Sequence, residues 1–462
     1  MKEVTVIGGG LAGTEAAWQI ASRGVAVRLF EMRPTRRTPV HSTDQLAELV
    51  CSNSLRSDRT TSAHGLLKEE MRRLGSLIMT AAEKARVPAG QALAVDRDVF
   101  AATVTEAIAN EPRIELERRE ALTIPGEGTI LVASGPLTSE SLSASIRAFT
   151  GEEFLYFYDA ISPIVEAETI DEDKVFRASR YGKGGDDYLN CPMTEQDYRR
   201  FHEALMAAGT IDIHDIDKAM FFESCLPIEV MARRGFDTLR FGPMKPVGLV
   251  DPQTGTMPFA AVQLRQDNLA RSLYNIVGFQ NQLKWSEQQQ LLRLIPGLEN
   301  AEFVRYGMIH RNTFINAPAV LDSTFQARQR HDLFFAGQLS GVEGYTESAA
   351  SGLLAGLNAA RVVLNLEPVT PPRTTALGAL AHYISHSESR YYQPTNIAFG
   401  LLPPLDKNVR NKRERKKAMV ERALTDIDHF RTKLGQDPIP PLELEPGEHL
   451  SLPDKGKKVS RA

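Results

Sequence analysis

Residues 4–33, VTVIGGGLAGTEAAWQIASRGVAVRLFEMR, decide the fold of the N-terminal part of the chain. Gly8, Gly10 and Gly13 follow an apolar strand in G-x-G-x-x-G spacing and open an alanine-rich helix. The first glycine permits a tight turn, the second lets the backbone approach a diphosphate, and the third lets helix and strand pack closely. The pattern predicts a Rossmann-like α/β unit that binds a dinucleotide at the helix N terminus. The residues predicted to bind it in this turn are Gly8, Gly9, Gly10, Leu11, Ala12 and Gly13.

An acidic residue ends the second strand of this unit. The strand VAVRLFE (25–31) finishes at Glu31, about 20 residues after the glycines. A carboxylate there can accept hydrogen bonds from ribose hydroxyls, and it disfavours a 2′-phosphate. Strand, turn, helix, strand and acid therefore occur in the order that a dinucleotide site requires.

Two later segments return to the same predicted site. GTILVASGP (128–136) is an apolar strand that ends at Gly135, and DLFFAGQLSG (332–341) is a strand with a turn at Gly337 and Gln338. A sheet that returns to one cofactor so late in the chain indicates FAD in an extended conformation. The small-residue helix that follows allows close packing as well as close cofactor approach, and both roles can hold at once. No second complete motif occurs, so NADH or NADPH is expected to visit only transiently as the reductant.

The composition excludes several classes of protein. The chain is 42% hydrophobic and 24% charged with a formal net charge of −4, so it is globular and has no general basic field. Its three cysteines, Cys51, Cys191 and Cys225, form no metal-ligand or disulfide pattern, and no metal is expected. It opens directly on a strand and contains no run of 18 apolar residues. We expect a cytoplasmic protein that does not bind a membrane.

Strand and helix patterns predict an α/β fold, Rossmann-like and similar to glutathione reductase, with an inserted α+β domain. The predicted parts are a first FAD-binding segment (1–170), the inserted domain (171–305), a second FAD-binding segment with C-terminal helices (306–432) and a disordered proline-rich tail (433–462). A monomer or weak dimer is expected.

A basic segment lies near the C terminus. KNVRNKRERKK (407–417) holds seven Lys or Arg against one Glu, and an apolar stripe at helical spacing follows it from Val420 to Phe430. Cations at a helix N terminus oppose the macrodipole, which favours a polyanionic partner. A solvated charged face is the alternative, and composition alone favours it.

Cys51 stands in an unusual setting, ELVCSNSLRSD (48–58). A packing cysteine normally sits among apolar residues, whereas a reactive thiol needs positive charge, hydrogen-bond donors and some exposure. Arg56 and the intervening Ser and Asn residues can provide these. The stretch therefore predicts a reactive cysteine.

Several long motifs together resemble the folate- and FAD-dependent tRNA (uracil-5-)-methyltransferases, which are related to the GidA flavoproteins. The resemblance runs from residue 1 to about residue 430. Besides the N-terminal flavin unit and the Cys51 stretch, the motifs are YLNCPMTE (188–195), FFESCLPIEVMARRG (221–235), FGPMKPVGL (241–249), IHRNTFINAP (309–318) and FFAGQLSGVEGYTESAASG (334–352).

The resemblance implies a reaction and two catalytic residues. One carbon would pass from 5,10-methylenetetrahydrofolate to carbon 5 of uridine 54 in the T-loop of tRNA, with reduced FAD as carrier. The two cysteines implicated in the family match Cys51 and Cys225, whereas Cys191 receives no catalytic role. Thiolate addition to carbon 6 would make carbon 5 nucleophilic. We assign the addition to Cys225 and a base or protective role to Cys51, and the two roles could be exchanged.

With tRNA as the substrate that the resemblance implies, local charge and aromatic character indicate candidate contacts to the RNA. They are Arg56, Tyr345, Lys412, Arg413, Arg415 and Lys416, with Phe222 and Trp285 as further aromatic candidates. Two competing functions remain at this point. One is an FAD-dependent oxidoreductase of a small molecule without an RNA substrate, and the other is a non-catalytic RNA-binding protein with structural FAD.

Overall fold

The computed structural model describes residues 2–38, 40–151, 155–183, 185–210, 226–307, 309–406 and 409–435. Cys225, Phe222 and the tail from residue 436 onward lie outside the described residues. Within these ranges no helix has both the length and the apolar character needed to span a bilayer. No group of three or more His, Cys, Asp or Glu side chains is placed to hold a metal ion in the same ranges.

The strands of the described residues form two large sheets and two small ones. In chain order they are β1 (Glu3–Ile7), β2 (Ala26–Phe30), β3 (Ser54–Ser57), β4 (Arg86–Val87), β5 (Ala92–Val95), β6 (Ile114–Glu117), β7 (Thr129–Val132), β8 (Leu155–Ala160), β9 (Ile164–Glu166), β10 (Phe176–Arg177), β11 (Tyr188–Met193), β12 (Ala260–Gln266), β13 (Leu273–Ile276), β14 (Phe303–Arg305), β15 (Ile309–Phe314), β16 (Gln326–Ala327) and β17 (Arg330–Phe335).

The α-helices lie mainly against the first sheet and in the inserted unit. In chain order they are α1 (Leu11–Ala21), α2 (Ala63–Arg73), α3 (Leu77–Lys84), α4 (Arg97–Asn110), α5 (Glu140–Thr150), α6 (Glu195–Ala207), α7 (Ile228–Arg233), α8 (Thr238–Phe241), α9 (Trp285–Leu292), α10 (Ala317–Val320), α11 (Tyr345–Val363), α12 (Ala376–His386) and α13 (Lys412–Lys433).

The first sheet has the order β16-β17-β7-β1-β2-β6. Five of its strands, from β17 to β6, run parallel, so their carboxyl ends share one edge. Each parallel pairing requires a crossover, and α1 supplies the one between β1 and β2. Ligands in open parallel sheets bind outside the carboxyl ends of the strands, which is where the glycine turn after β1 lies.

The second sheet is antiparallel, with the order β10-β11-β12-β13-β9-β14. The strands β8 and β15 pair with each other in a separate, antiparallel two-stranded sheet. The predicted α/β class with an inserted α+β unit is confirmed. Because β9 at Ile164–Glu166 already pairs within the second sheet, we now propose that the inserted unit begins before residue 171.

Buried apolar side chains form two main cores. One lies around the first sheet and includes α11, α12 and α13, and the other lies between the second sheet, α6 and α7. The predicted stripe on α13 is confirmed, since Val420, Ala423, Leu424, Ile427 and Phe430 are all buried in the first core. The helix begins inside the basic run, at Lys412.

Candidate active site

The glycine turn has the geometry that its spacing predicts. Gly8 adopts a φ of +111°, and a Cβ there would lie 2.4 Å from the Ala133 carbonyl oxygen. A Cβ on Gly13 would lie 1.7 Å from the Gly8 carbonyl oxygen, so this contact of helix and strand requires glycine. A Cβ on Gly10 would meet no atom within 4 Å. Gly10 therefore leaves open space at the N terminus of α1, where no side chain caps the helix.

Glu31 lies beside this turn and is held in place by two neighbours. Its Oε2 accepts the Gly9 amide at 3.0 Å, and its Oε1 accepts the Arg33 amide and Nε at 3.0 and 2.8 Å. Burial opposes the charged form, but the hydrogen bonds and charge of Arg33 outweigh it and lower the pKa of Glu31. The carboxylate is thus ionised, and its free lone pairs can accept ribose hydroxyls.

A cavity of about 390 Å³ follows the carboxyl edge of the first sheet. Residues after four adjacent strands line it: Glu31 after β2, Gly8 after β1, Gly135 after β7 and Gly337 after β17. Three strand spacings of nearly 5 Å make this edge about 14 Å long. An edge of that length suits an extended dinucleotide better than a small metabolite.

The N terminus of α11 forms the far wall of the cavity. Gln338, Gly344 and Tyr345 line the cavity there. Further along α11, glycines allow the helix to pack closely. A Cβ on Gly352 would lie 2.1 Å from the Ala12 carbonyl oxygen, and a Cβ on Gly356 would lie 2.6 Å from the Ala16 carbonyl oxygen. The packing role predicted for this helix is confirmed for its later turns, and cofactor approach at its first turn stays a prediction.

Cys51 lines the same cavity and is half-buried. The Tyr345 hydroxyl accepts the backbone amides of Cys51 and Ser52 at 2.7 and 3.1 Å. From the other side, Arg305 donates to the carbonyl oxygens of Val50 and Cys51 at 3.1 and 3.2 Å. The loop that carries the thiol is therefore held by α11 and by the second sheet together.

Arg265 and Arg305 are functional candidates that the sequence did not reveal. Arg265 Nη2 donates to Ser52 Oγ at 2.8 Å, and its Nε donates to Asn53 Oδ1 at 2.9 Å. Burial and the like charge of Arg97 lower the pKa of Arg305 to about 10, so it stays cationic at neutral pH. Arg265 stands in β12, a strand buried along its whole length. A charged residue in a buried strand needs a polar partner. The charge of Arg265 within an apolar strand was therefore the sequence signal that could have identified it.

The other residues predicted from sequence fall into two groups. Arg56 lines the cavity with Cys51 and has a φ of +64°. Lys412, Arg413, Arg415 and Lys416 lie on the first turns of α13 and do not line the cavity. Trp285 is exposed at the start of α9.

Cys191 is fully buried in β11, and burial raises the pKa of its thiol well above the ordinary value. It thus has the environment of a structural cysteine. Cys225 lies outside the described residues, but the chain next to it is fixed. The Ile228 amide donates to the carbonyl oxygen of Gln280 at 2.8 Å, and Gln280 lines the cavity.

Replacing Tyr345 by phenylalanine is expected to slow the reaction at this site without removing the cofactor. The change keeps the ring but leaves the amides of Cys51 and Ser52 without their acceptor. Misplacement of the thiol should lower turnover on the order of 10-fold. Turnover and flavin affinity, measured side by side, test this. Wild-type turnover in the variant would show that the hydroxyl does not position Cys51.

The described residues fit FAD. The open space at Gly10 and the uncapped amides of α1 match a diphosphate, and the ionised Glu31 matches a ribose. The wall at Gly337 and Tyr345 leaves room for the rest of the FAD molecule. The Gly337 amide donates to Ser351 Oγ at 2.7 Å, which fixes this turn. Cys51 lies on the same wall as Tyr345.

The chain is similar to a known protein family and to named relatives. The family model "Glucose inhibited division protein A" matches residues 3–367. The methylenetetrahydrofolate--tRNA-(uracil-5-)-methyltransferase TrmFO of Anoxybacillus flavithermus is 58% identical over 432 residues, covering 94% of this chain and 100% of that protein. The protein of the same name from Enterococcus faecalis is 59% identical over 423 residues, or 92% of this chain and 97% of the relative.

Among solved structures, GidA of Aquifex aeolicus in its form I crystal aligns with a TM-score of 0.68 at 17% identity. The alignment covers 94% of this chain and 76% of that chain. A likeness at this identity supports the fold, which is that of the Rossmann-like flavoproteins.

Proposed function

This chain belongs to the glucose inhibited division protein A family and, within it, to the methylenetetrahydrofolate--tRNA-(uracil-5-)-methyltransferases, and we propose that it methylates carbon 5 of a uridine in tRNA. The carbon donor is methylenetetrahydrofolate. When bound, FAD supplies the electrons and carries the carbon, after reduction by NADH or NADPH. The target we infer is uridine 54 of the T-loop, and we infer that the protein acts in the cytoplasm. A monomer or weak dimer stays a prediction.

One observation carries the proposal: a half-buried cysteine lines the flavin cavity on a loop fixed from both sides. Uracil carbon 5 is a poor nucleophile until a soft nucleophile adds to carbon 6. The relatives that are 58 and 59% identical are named as tRNA methyltransferases, which favours this function over a redox enzyme acting on a small molecule. The same names disfavour the second competing reading, a non-catalytic RNA-binding protein.

The two cysteines are assigned complementary roles. We infer that the Cys225 thiolate forms the bond to carbon 6, which pushes electrons onto carbon 5 for its attack on the one-carbon unit. Cys51 then removes the proton from carbon 5 while the bond between the one-carbon unit and its carrier breaks, which leaves a methylene group on carbon 5. A hydride, which reduced FAD would supply, converts this methylene to methyl, and the thiolate of Cys225 leaves as the ring double bond returns. Cys51 could instead protect the one-carbon unit from water, and the roles of the two cysteines could be exchanged.

The positive charges near Cys51 favour its ionised form. Only about 3% of an ordinary cysteine is thiolate at pH 7. Arg265 and Arg305 both interact electrostatically with Cys51 and remain cationic. Their hydrogen bonds to Ser52 and to the Cys51 carbonyl also hold the loop that carries the thiol.

Transfer of labelled carbon tests the proposed function directly. The enzyme, FAD, NADH or NADPH and methylenetetrahydrofolate labelled in its methylene group are incubated with tRNA that lacks 5-methyluridine. Label should appear in 5-methyluridine at position 54 after nucleoside analysis. Consumption of NADH or NADPH with no label in RNA would favour an oxidoreductase of a small molecule.

The basic start of α13 is proposed to bind tRNA phosphates. Replacing Lys412, Arg413, Arg415 and Lys416 together by glutamine should weaken tRNA binding and flatten its salt dependence. For four phosphate contacts, the slope of log K against log salt should become less negative by about 3. Removing cations from this helix start also relieves their opposition to the macrodipole, so α13 should remain folded.

A charge-conserving variant is the control, with lysine exchanged for arginine and arginine for lysine at the same four positions. It should retain the wild-type slope. If the glutamine variant also retains that slope, the segment is a solvated charged face and not an RNA contact.

A further inference from the structure

The cavity that Cys51 lines also contains one residue of the inserted unit. Among the described residues that line the cavity, Gln280 is the only one from residue 164 to residue 305. All the others lie in residues 7–142 and 337–348, on either side of that unit in the chain. Gln280 therefore brings to the cavity a group that the FAD-binding part of the chain does not supply.

The side-chain amide of Gln280 has no partner within the described part of the chain. Two carboxamides line the cavity there, those of Gln280 and Gln338. Gln338 Nε2 donates to Glu343 Oε2 at 2.7 Å, so this amide is engaged. Gln280 is half-buried, and neither of its amide atoms is sealed from solvent. Its donor and its acceptor are thus open to a ligand.

The backbone that carries Gln280 is fixed on both sides. The Gln280 carbonyl oxygen accepts the Ile228 amide of α7 at 2.8 Å. Two residues later, the Gln282 amide donates to Glu229 Oε1 at 3.0 Å. Phe279, just before Gln280, is buried in the core of the inserted unit. A side chain on such a fixed loop has less freedom to lose when it binds a ligand.

A carboxamide is complementary to the pairing edge of uracil. It donates through its nitrogen and accepts through its oxygen. Uracil presents N3–H beside the carbonyl oxygen O4, and bases in RNA loops are recognised through hydrogen bonds to this edge. Once joined to ribose, uracil has no hydrogen-bonding groups except N3–H and its two carbonyls. An enzyme that selects this base by hydrogen bonds must therefore contact these groups.

We propose that Gln280 recognises the target base, with its Nε2 donating to O4 of the uracil and its Oε1 accepting N3–H. A uracil that reacts with Cys51 must enter the cavity that Gln280 lines. The pterin of folate and the flavin also present an N–H beside a carbonyl. Both have further ring nitrogens by which a protein can hold them, whereas uracil has none. The inference rests on the proposed function, since it takes a uridine of tRNA as the substrate.

Gln280→Met tests the proposal in the full-length enzyme loaded with FAD, because it keeps the length of the side chain and removes both hydrogen-bonding groups. Its affinity for tRNA that lacks 5-methyluridine should fall about 5- to 30-fold. A second tRNA carries 4-thiouridine at position 54, where sulfur is a weak acceptor. The wild type should bind this tRNA about 3-fold more weakly or worse. The variant should bind both tRNAs equally, since it has no N–H to lose.

Gln290→Met is the matched control, because Gln290 is an exposed glutamine on α9 of the inserted unit and does not line the cavity. It should bind tRNA as the wild type does. The affinities of Q280M for FAD and for tetrahydrofolate, measured in parallel, should be unchanged. Wild-type tRNA affinity in Q280M would overturn the inference, and so would an undiminished preference for uridine over 4-thiouridine. A loss confined to FAD or tetrahydrofolate would also overturn it and would assign the amide to the flavin or the pterin.

Binding and turnover are measured separately, so that the two proposals can fail independently. If the wild type bound tRNA without methylating it, the proposed function would fail. A loss of tRNA affinity in Q280M, absent for the 4-thiouridine tRNA, would still support the contact between Gln280 and the base.

Discussion

Cys51→Ala and Cys225→Ala are each expected to lower methyl transfer to tRNA by about 10³-fold or more. When one thiol is missing, carbon 5 of uracil is not activated. When the other thiol is missing, the proton on carbon 5 is not removed or the one-carbon unit is not protected. Both effects should appear in kcat, because the cavity and the RNA surfaces are unchanged. Single-turnover transfer of labelled carbon, with enzyme in excess over tRNA, measures the loss directly.

Cys191→Ala is the control for this pair. Cys191 is fully buried in the core of the inserted unit, and its thiol is held neutral because burial raises its pKa. The variant should lose about 1 kcal/mol of stability and keep its activity within a few-fold of the wild type. Full activity in both the Cys51 and the Cys225 variants would remove the thiol mechanism.

Gly10→Ala is expected to lower FAD affinity on the order of 100-fold while leaving the apoprotein almost as stable as the wild type. The Gly10 backbone has a φ of −78°, which alanine adopts without strain, and a Cβ there meets no protein atom within 4 Å. The methyl group would instead occupy the space through which the diphosphate approaches α1. Loss of the glycine at this helix start should cost less than about 1 kcal/mol of stability.

Flavin titration of the apoprotein, followed by fluorescence, gives the affinity, and thermal unfolding gives the stability. Gly126→Ala is the matched control, since Gly126 is exposed, does not line the cavity, and a Cβ added there would also meet no atom within 4 Å. Wild-type FAD affinity in the Gly10 variant would mean that the diphosphate does not pass over this residue. Gly352→Ala should behave in the opposite way, with lower stability, because its Cβ would collide with Ala12 of α1.

Local features of the sequence were sufficient to predict the first half of the site. The role of Gly13 depends on its contact with Gly8 within one strand, turn and helix, and the position of Glu31 depends on the next strand. These contacts are short in sequence, so residue type and spacing specify them. The later strand and turn at Gly337 could be placed because parallel strands end at a common edge.

The clamp on Cys51 could not be predicted in the same way. Arg305 reaches its carbonyl across 254 residues, and Arg265 reaches Ser52 across 213. Tyr345 was a candidate for a base contact, but its hydroxyl is engaged by the backbone of the Cys51 loop. Such partners are set by how the second sheet packs on the first, and no spacing rule in one sequence specifies that packing.

The central claim is that a cysteine of this chain bonds to carbon 6 of the target uridine. A tRNA with 5-fluorouridine at position 54 tests it most directly. A base can remove a proton from carbon 5 but cannot remove fluorine, so the bond between sulfur and carbon 6 cannot be released. Incubation with FAD, NADPH and methylenetetrahydrofolate, followed by digestion and mass spectrometry, should find the nucleotide attached to the Cys225 peptide. An adduct on Cys51 would exchange the two roles, whereas the absence of any protein–RNA adduct would contradict the account.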